Sequence, residues 1–409
     1  MKKRQRVPIA TVLLAGAMTI SVLIYVLRRP DQFLNPQIWN EEGLLLQSLS
    51  EQGILATVFF PFAGTLNAPT NLAVVIAGTL NLAQANVLLY WFAVFVFVFY
   101  LALWSIPASK LKPASRALIM LLTALIPTDP ETFGVGLYTF WWMQLFVIPM
   151  FFWDKAKPLH SQVIMVIACL SGPVGCILSA IYLSKRIALR EAISLRAFFL
   201  PSLITLAQFF FVVSSGRLGI STNLVPLAGQ MANAVGMYFT FGIFKEPLPL
   251  IILVGLTVIS IIALKTIKDT VLYFKTGLPV NDIVITNISI SAALAVSLAL
   301  AAIAGGIGTN PLDIGPRYFF FSFQILSIFL VFQLAVSHSR ATKVFIIISL
   351  LSSQFGTLQA WDRHHDDLAW GNQILKCSQS TNETYEIYVH YIGSAKDVWD
   401  YSVKQSLCR

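Results

Sequence analysis

Hydrophobic positions along this chain come in long unbroken runs. Neither the alternation of a half-buried strand nor the one-sided stripe of a surface helix dominates. Residues 8–26 carry no charge and are long enough to cross a bilayer core, which takes about 20 helical residues. Further runs cover 86–106, 116–127, 133–152, 161–183, 197–214, 247–264, 283–305, 317–337 and 342–358. The pattern predicts an all-α polytopic membrane protein with about eleven transmembrane helices. The run 161–183 contains Ser171-Gly172-Pro173. A helix-interior proline costs about 3 kcal/mol and frees backbone groups, so two short limbs are predicted there, or a plain kink.

Composition agrees with lipid as the main solvent. Of 409 residues, 56% are hydrophobic and 11% charged, against about 25% charged in a soluble domain. A soluble enzyme is excluded, and the bilayer is the first partner. The net charge of +9 does not imply nucleic acid, because Lys and Arg sit in short loops between apolar runs and so report orientation. Lys2, Lys3, Arg4 and Arg6 place the amino terminus in the cytoplasm, ahead of an uncleaved first helix.

The loops with Lys110/Lys112/Arg116, Lys155/Lys157, Lys185/Arg186/Arg190/Arg196, Lys265/Lys268/Lys275 and Arg340/Lys343 also belong in the cytoplasm. All five fit if residues 66–85 lie along the interface or re-enter, 161–183 is broken, and 230–244, with Gln230, Asn233 and Gly236, stay outside. The chain then divides into a transmembrane domain, 1–358, whose first outer loop is 28–85, and a small extracytoplasmic tail, 359–409. An outside tail predicts a Cys377–Cys408 disulfide, contributing roughly 3 to 4 kcal/mol by the chain-entropy model.

Four polar places are candidates for chemistry, because such groups are held at a membrane at a cost. Glu41 and Glu42 follow Asn35-Pro36-Gln37-Ile38-Trp39-Asn40; they are either helix-capping acids or a carboxylate pair with displaced pKa. Asp129 and Glu131 precede Tyr138, Trp141 and Trp142, which suits capping with an aromatic belt and equally suits sugar binding. Ser171-Gly172-Pro173 is the third place. The fourth is Arg317-Tyr318, where Arg317 either snorkels or clamps a phosphate; Arg217 is a weaker version. Lys245 and Glu246 read as a local ion pair. The run from Asp362 to Asp367 lacks metal-ligand spacing, and no metal is expected. Asn382-Glu383-Thr384 is a glycosylation sequon by pattern alone. No Walker, dinucleotide, nucleophile-elbow or HExxH motif is present, and no cofactor is implied.

In order, NPQIWNEEGLLLQSLSEQG, PTDPETFGVGLYTFWW, LSGPVG and GPRYFF, followed by a tail with isolated Trp and Cys, resemble polytopic membrane glycosyltransferases of the GT-C class. Among these they are most similar to bacterial and phage-borne O-antigen glucosyltransferases. The resemblance implies transfer of a hexose, such as glucose, from a polyprenyl-phosphate donor to an extracytoplasmic glycan such as lipopolysaccharide. It implies inversion without a metal, at the outer face of the bacterial inner membrane. Glu41 or Glu42, with Glu41 preferred, would be the base; Arg317 would hold the phosphate. Glu131 and Asp129 would bind hydroxyls, and Trp141 and Tyr138 would stack on sugar. A transporter or flippase of lipid-linked saccharides is the alternative; the absence of an internal repeat weighs against it.

Overall fold

The computed structural model describes residues 8–62, 64–128, 130–154, 158–191, 195–215, 224–240, 249–276, 282–305, 316–359, 365–390 and 398–409. Among them the chain is an all-α, multi-pass membrane protein with two small β-pairs. The helices are α1 (Ile9–Leu27), α2 (Pro30–Leu34), α3 (Asn40–Gln52), α4 (Ile54–Val58), α5 (Ala68–Asn81), α6 (Ala85–Ser105), α7 (Pro113–Ala124), α8 (Thr139–Gln144) and α9 (Pro158–Leu170). They continue with α10 (Pro173–Ala188), α11 (Leu195–Ser214), α12 (Leu224–Thr240), α13 (Pro249–Thr276), α14 (Asp282–Gly305), α15 (Phe320–Val336), α16 (Arg340–Gln359) and α17 (Trp370–Gln379). Strand β1 (Pro61–Phe62) pairs with β2 (Thr65–Leu66), and β3 (Thr384–His390) with β4 (Val398–Lys404), both antiparallel.

Among the described residues, four apolar stretches are long enough to cross a membrane: Ile9–Leu27, Ala68–Ser105, Pro249–Lys268 and Asp282–Ile303. The second is not one rod. Its 38 residues would reach about 57 Å at 1.5 Å each, nearly twice a hydrocarbon core. The helix breaks at Asn81, whose backbone is extended (φ −165°, ψ 96°), so α5 and α6 are separate. α5 packs on α3 and α4, with Gly78 against Leu46 and Leu49. Its other face shows Leu72, Ile76 and Leu80, an i, i+4, i+8 stripe suited to an interface.

Residues 139–152 depart from a regular span. α8 is followed by a 3-10 helix, Leu145–Phe152, in which every residue is buried. At about 2.0 Å rise per residue a 3-10 helix covers more depth per residue than an α-helix. Together with α8 it traverses roughly 25 Å in so few residues. α15 is buried at every position from Phe320 to Gln333, as befits a helix hydrophobic all round. α11 instead exposes Phe198, Phe199, Phe209 and Phe210, a face for lipid.

The break at Ser171-Gly172 is a reversal. Cys169 Sγ lies 3.5 Å from Ser179 Oγ, whereas a straight helix would separate these positions by about 15 Å. α9 and α10 therefore form a hairpin, drawn together where a Cβ on Gly175 would sit 2.0 Å from the Ala168 carbonyl oxygen. The expectation for 230–244 fares differently. Gln230, Asn233 and Gly236 do not interrupt α12, which runs unbroken to Thr240. It packs antiparallel to α13 because Gly236 and Gly255 admit the partner's backbone: a Cβ on either would meet the Ile251 or Ala232 carbonyl oxygen. Residues 241–248, with Lys245 and Glu246, lie outside the described residues.

The bundle has two chemically distinct ends. At one, Lys110 pairs with Asp282 (2.5 Å) and Asp154 (3.8 Å), and Lys185 pairs with Asp282 (3.3 Å). Nearby, Lys265 bonds Gln333, which bonds Asn287. At the other end lie α2 to α5, the loop from Ile126 to Tyr138, the tip of the α9–α10 hairpin and the tail.

The tail does not stand alone. A segment this short cannot build a sufficient core. Trp370, Ile374, Ile387, Val389 and Val403 share one core with Ile38, Trp39, Leu45 and Leu46 of the segment between α1 and α4. Tyr401 covers Gly43, where a Cβ would come within 2.6 Å of its ring. Cys377 and Cys408 are disulfide-bonded, with Cα atoms 5.9 Å apart and a sequence separation of 31. Replacing both by serine is expected to remove roughly 3 to 4 kcal/mol from the tail. Limited proteolysis should then cut within 365–409 at protease levels the wild type resists; equal resistance would contradict this.

Candidate functional site

The two acids of α3 have different surroundings. Glu42 is 1% exposed. Its Oε2 accepts the Trp39 amide (2.9 Å) and its Oε1 the Leu137 amide (2.8 Å). The first bond closes the N-terminus of α3, as an acid at the third helical position does in a capping box. The second ties α3 to the segment before α8. Gly136 is required there, since a Cβ would lie 2.9 Å from Glu42 Oε1. Burial pushes the Glu42 carboxyl up to about 7; the amide bonds oppose this and Glu41 adds to it. Glu41 is half-buried and close enough to Tyr401 to help raise its phenol, an effect in which burial leads.

Glu131 is buried in the 3-10 turn Pro130–Thr132, within the loop that wraps Arg28. Arg28 and Arg29, which sequence reasoning missed, are both fully buried. Arg28 donates to the carbonyls of Ala124 (3.4 Å), Ile126 (2.6 Å) and Thr128 (2.9 Å) and lies 4.1 Å over the Phe133 ring. Arg29 grips Asp31 with two bonds, 3.0 and 2.9 Å, and reaches His365 Nδ1 at 2.8 Å. An arginine only donates, so Nδ1 of His365 is unprotonated. His365 stacks between Trp39 and His390. Burial lowers the His390 pKa. The available signal was two basic residues at the wrong end of the first helix for the positive-inside rule.

Beside these groups, at the same end, is a cavity of about 410 Å³. Trp141, Gly172, Pro173 and Tyr318, all named from sequence, line it together with Phe140, Gln144, Asn67, Thr65, Ser297 and Phe321. Three segments far apart in sequence thus meet on one void. Trp141 packs 4.9 Å from Phe321. Gln144 accepts the Gly175 amide (3.2 Å) and donates to the Phe140 carbonyl (3.1 Å), holding the N-terminus of α10 at the wall. Gly172, at φ +141°, is pressed on Gln144, 2.8 Å from where a Cβ would be. Gln208 of α11 brackets Leu66, accepting its amide (3.0 Å) and donating to its carbonyl (2.6 Å) and to that of Cys169 (2.9 Å). It fixes Asn67 beside the hairpin tip.

Glu41, Glu42, Glu131 and Tyr138 do not line this cavity. Tyr138 is buried and accepts the Trp39 indole N–H at 3.0 Å, so it braces α3 against α8. Ser171 is buried at the hairpin turn, bonding the Ile167 carbonyl at 2.7 Å. Asp129 and Arg217 lie outside the described residues. Arg317 is described only in its backbone, in the 3-10 turn Pro316–Phe319. Asn67 and Gln144 went unnamed as site residues because an isolated amide carries no motif.

No protein-family model, curated protein or solved structure matches the chain.

Glu42 titrates near 4.5 unfolded and about 7 folded. Its proton therefore favours the fold: the contribution is full below about 4.5 and is lost as pH rises to about 7. Glu42→Gln would set an amide donor against a backbone N–H. It is expected to cost about 1 to 3 kcal/mol and to flatten the pH dependence of thermal stability across that window. An unchanged melting temperature and pH profile would contradict the assignment.

Proposed function

We propose that the protein is a glycosyltransferase of the bacterial cytoplasmic membrane. It moves a hexose, with inversion, from a polyprenyl-phosphate carrier to a hydroxyl of an extracytoplasmic glycan such as lipopolysaccharide O-antigen. The observation that carries this reading is the cavity. Trp141, Gly172-Pro173 and Tyr318 come from three of the four segments that resemble such enzymes, and all three contribute to its wall. The fourth segment, through Glu42, holds the stretch leading into α8.

An apolar and aromatic wall with a few amide and hydroxyl groups suits a ligand that is part lipid and part sugar. The N-terminus of α10 on the same wall favours negative charge, as a phosphate brings. The disulfide in the tail supports an oxidising compartment at that end, and Lys110 and Lys185 at the opposite end support the cytoplasm there. About eleven crossings in a GT-C arrangement fit this orientation.

In the reaction the acceptor oxygen bonds the anomeric carbon as the bond from that carbon to the phosphate oxygen breaks. The carrier leaves as a polyprenyl phosphate, and the acceptor's proton passes to a carboxylate. Both oxygens of Glu42 are committed to backbone amides, so Glu41, half-buried beside it and set back from the cavity wall, is the base that the family resemblance favours. Arg317 is the proposed phosphate partner. Glu41→Gln at unchanged expression is expected to lower sugar transfer by at least about 10²-fold, while Glu42→Gln keeps its rate per folded molecule. Full activity in Glu41→Gln would refute the base.

A further inference from the structure

The tail meets the end of α1 and the N-terminus of α3 through two stacked imidazoles. His365 lies face to face with Trp39 on one side and with His390 on the other, with ring centroids 5.1 and 4.8 Å apart. Both histidines are buried. The bonds around them fix where their protons are. Nδ1 of His365 is met by Arg29 at 2.8 Å and by Gln32 at 3.3 Å, both as donors, so it carries no proton. Nε2 of His390 lies 2.6 Å from the Asp366 carbonyl oxygen, which only accepts, so Nε2 holds the ring proton. Nδ1 of His390 is buried and has no partner among the described residues. A lone pair left there is tolerable, but a charged N–H without an acceptor is far more costly.

Acid therefore has two bonds and one stack to act on. A proton on His365 Nδ1 would set one N–H against another and end the bond from Arg29. A second proton on His390 would place two imidazolium rings face to face beside a buried guanidinium. The nearest opposing charge is Asp31, 3.7 Å from His365 Nδ1, and Arg29 already holds both of its oxygens. Asp366 and Asp367 of the tail are exposed, and Asp367 accepts the Ala369 amide at 2.7 Å. On α6, Tyr90 lies within electrostatic reach of Arg29 and Asp31, but a phenol keeps its proton in acid. Burial lowers the His390 pKa below its ordinary 6.5; Arg29 adds to this, while Asp366 and Asp31 oppose it.

We propose that His365 and His390 form an acid-sensitive latch, which when neutral holds the tail to Arg29 and Trp39 and when protonated releases it. Two backbone bonds open with it: the Leu368 amide to Gln37 Oε1 (3.3 Å) and the His390 amide to the Ile38 carbonyl (3.2 Å). Trp39 is the N-cap of α3, so the latch governs the cover over the turn that carries Glu41 and Glu42. The inference stands apart from the glycosyltransferase reading. Docking lowers the proton affinity of His390, so its contribution is complete above about 6.5 and is lost as pH falls below that value. Glu42 runs the other way, its proton steadying the fold as pH falls from about 7. A melting temperature mixes the two, whereas a local readout separates them.

The test follows backbone hydrogen exchange of peptides containing Leu368 and His390, in full-length protein held in lipid nanodiscs and corrected for the intrinsic rate. Between about pH 8 and about pH 5 the open fraction in wild type is expected to rise by about ten-fold for each unit by which docking lowers a histidine pKa. His365→Asn keeps an oxygen to accept from Arg29, and His390→Gln keeps an N–H for the Asp366 carbonyl, yet neither titrates. The double variant is expected to stay closed throughout that range. Wild type whose exchange at these peptides does not change, or a double variant that opens as wild type does, would overturn the latch. If the double variant is unfolded or already open at the upper pH, titration of the wild-type His390 ring by exchange of its C2 hydrogen decides. A pKa below 6.5 agrees with the latch, and one at or above it overturns the latch.

Discussion

Arg28 and Arg29 close the first transmembrane helix, and neither reaches solvent. Burying a guanidinium is tolerable only when it is met by hydrogen bonds and opposite charge, and leaving such a group without its partners costs on the order of 3 to 5 kcal/mol. Arg28 finds carbonyls at the end of α7 and beyond, where the last turn of a helix is short of donors. Arg29 finds Asp31 and His365. One residue thereby welds α1 to α7 and the following loop, and the next welds the end of α1 to the tail. Cations at the C-terminus of α1 also oppose its dipole favourably.

From this junction the remaining architecture follows outward. With the loop after α7 curled round Arg28, Gly134 donates its amide to Tyr25 at 2.8 Å and the chain is aimed into α8. Glu42 then clasps Leu137 from α3, and Tyr138 receives Trp39. The tail lies over the same α3, so the disulfide-linked hairpin and α3 share one apolar core. α8 in turn presents Trp141 and Gln144 to the hairpin tip of α9 and α10. The cavity is what remains where α8, that tip, α14, α15 and the start of α5 meet. The hairpin tip and the start of α5 are held by bonds from Gln144 and Gln208 to backbone amides and carbonyls, which in lipid have no water to satisfy them.

Much of this was legible in the sequence and some was hidden for physical reasons. The apolar runs located the helices, because crossing a bilayer demands length and lack of charge whatever the packing. Gly172-Pro173 marked a broken helix, since proline cannot continue the ladder. Cys377 and Cys408 announced their bond through the compartment that charge bookkeeping gave the tail. Gln230, Asn233 and Gly236 misled, because a glycine that weakens a helix in isolation also lets two helices touch. Of the two readings open for Glu42, helix capping is the one seen in its bond to the Trp39 amide, with Trp39 at the N-cap in place of Ser or Thr. Arg28 and Arg29 are basic residues at the end of α1 opposite Lys2, Lys3, Arg4 and Arg6, a signal best read as burial. Asn67 and Gln144 had no sequence signal, because an isolated amide reads as nothing until the fold brings it to a cavity wall.

The claim on which the account turns is that this end of the bundle moves sugar from a lipid phosphate to a glycan. The most direct measurement incubates purified wild-type protein in a bilayer with defined polyprenyl-phosphate hexoses and acceptor glycan, then determines product mass. The account predicts an acceptor heavier by one hexose residue, with free polyprenyl phosphate released in equal amount. An acceptor unchanged in mass with every donor, from protein shown to be folded, would contradict it.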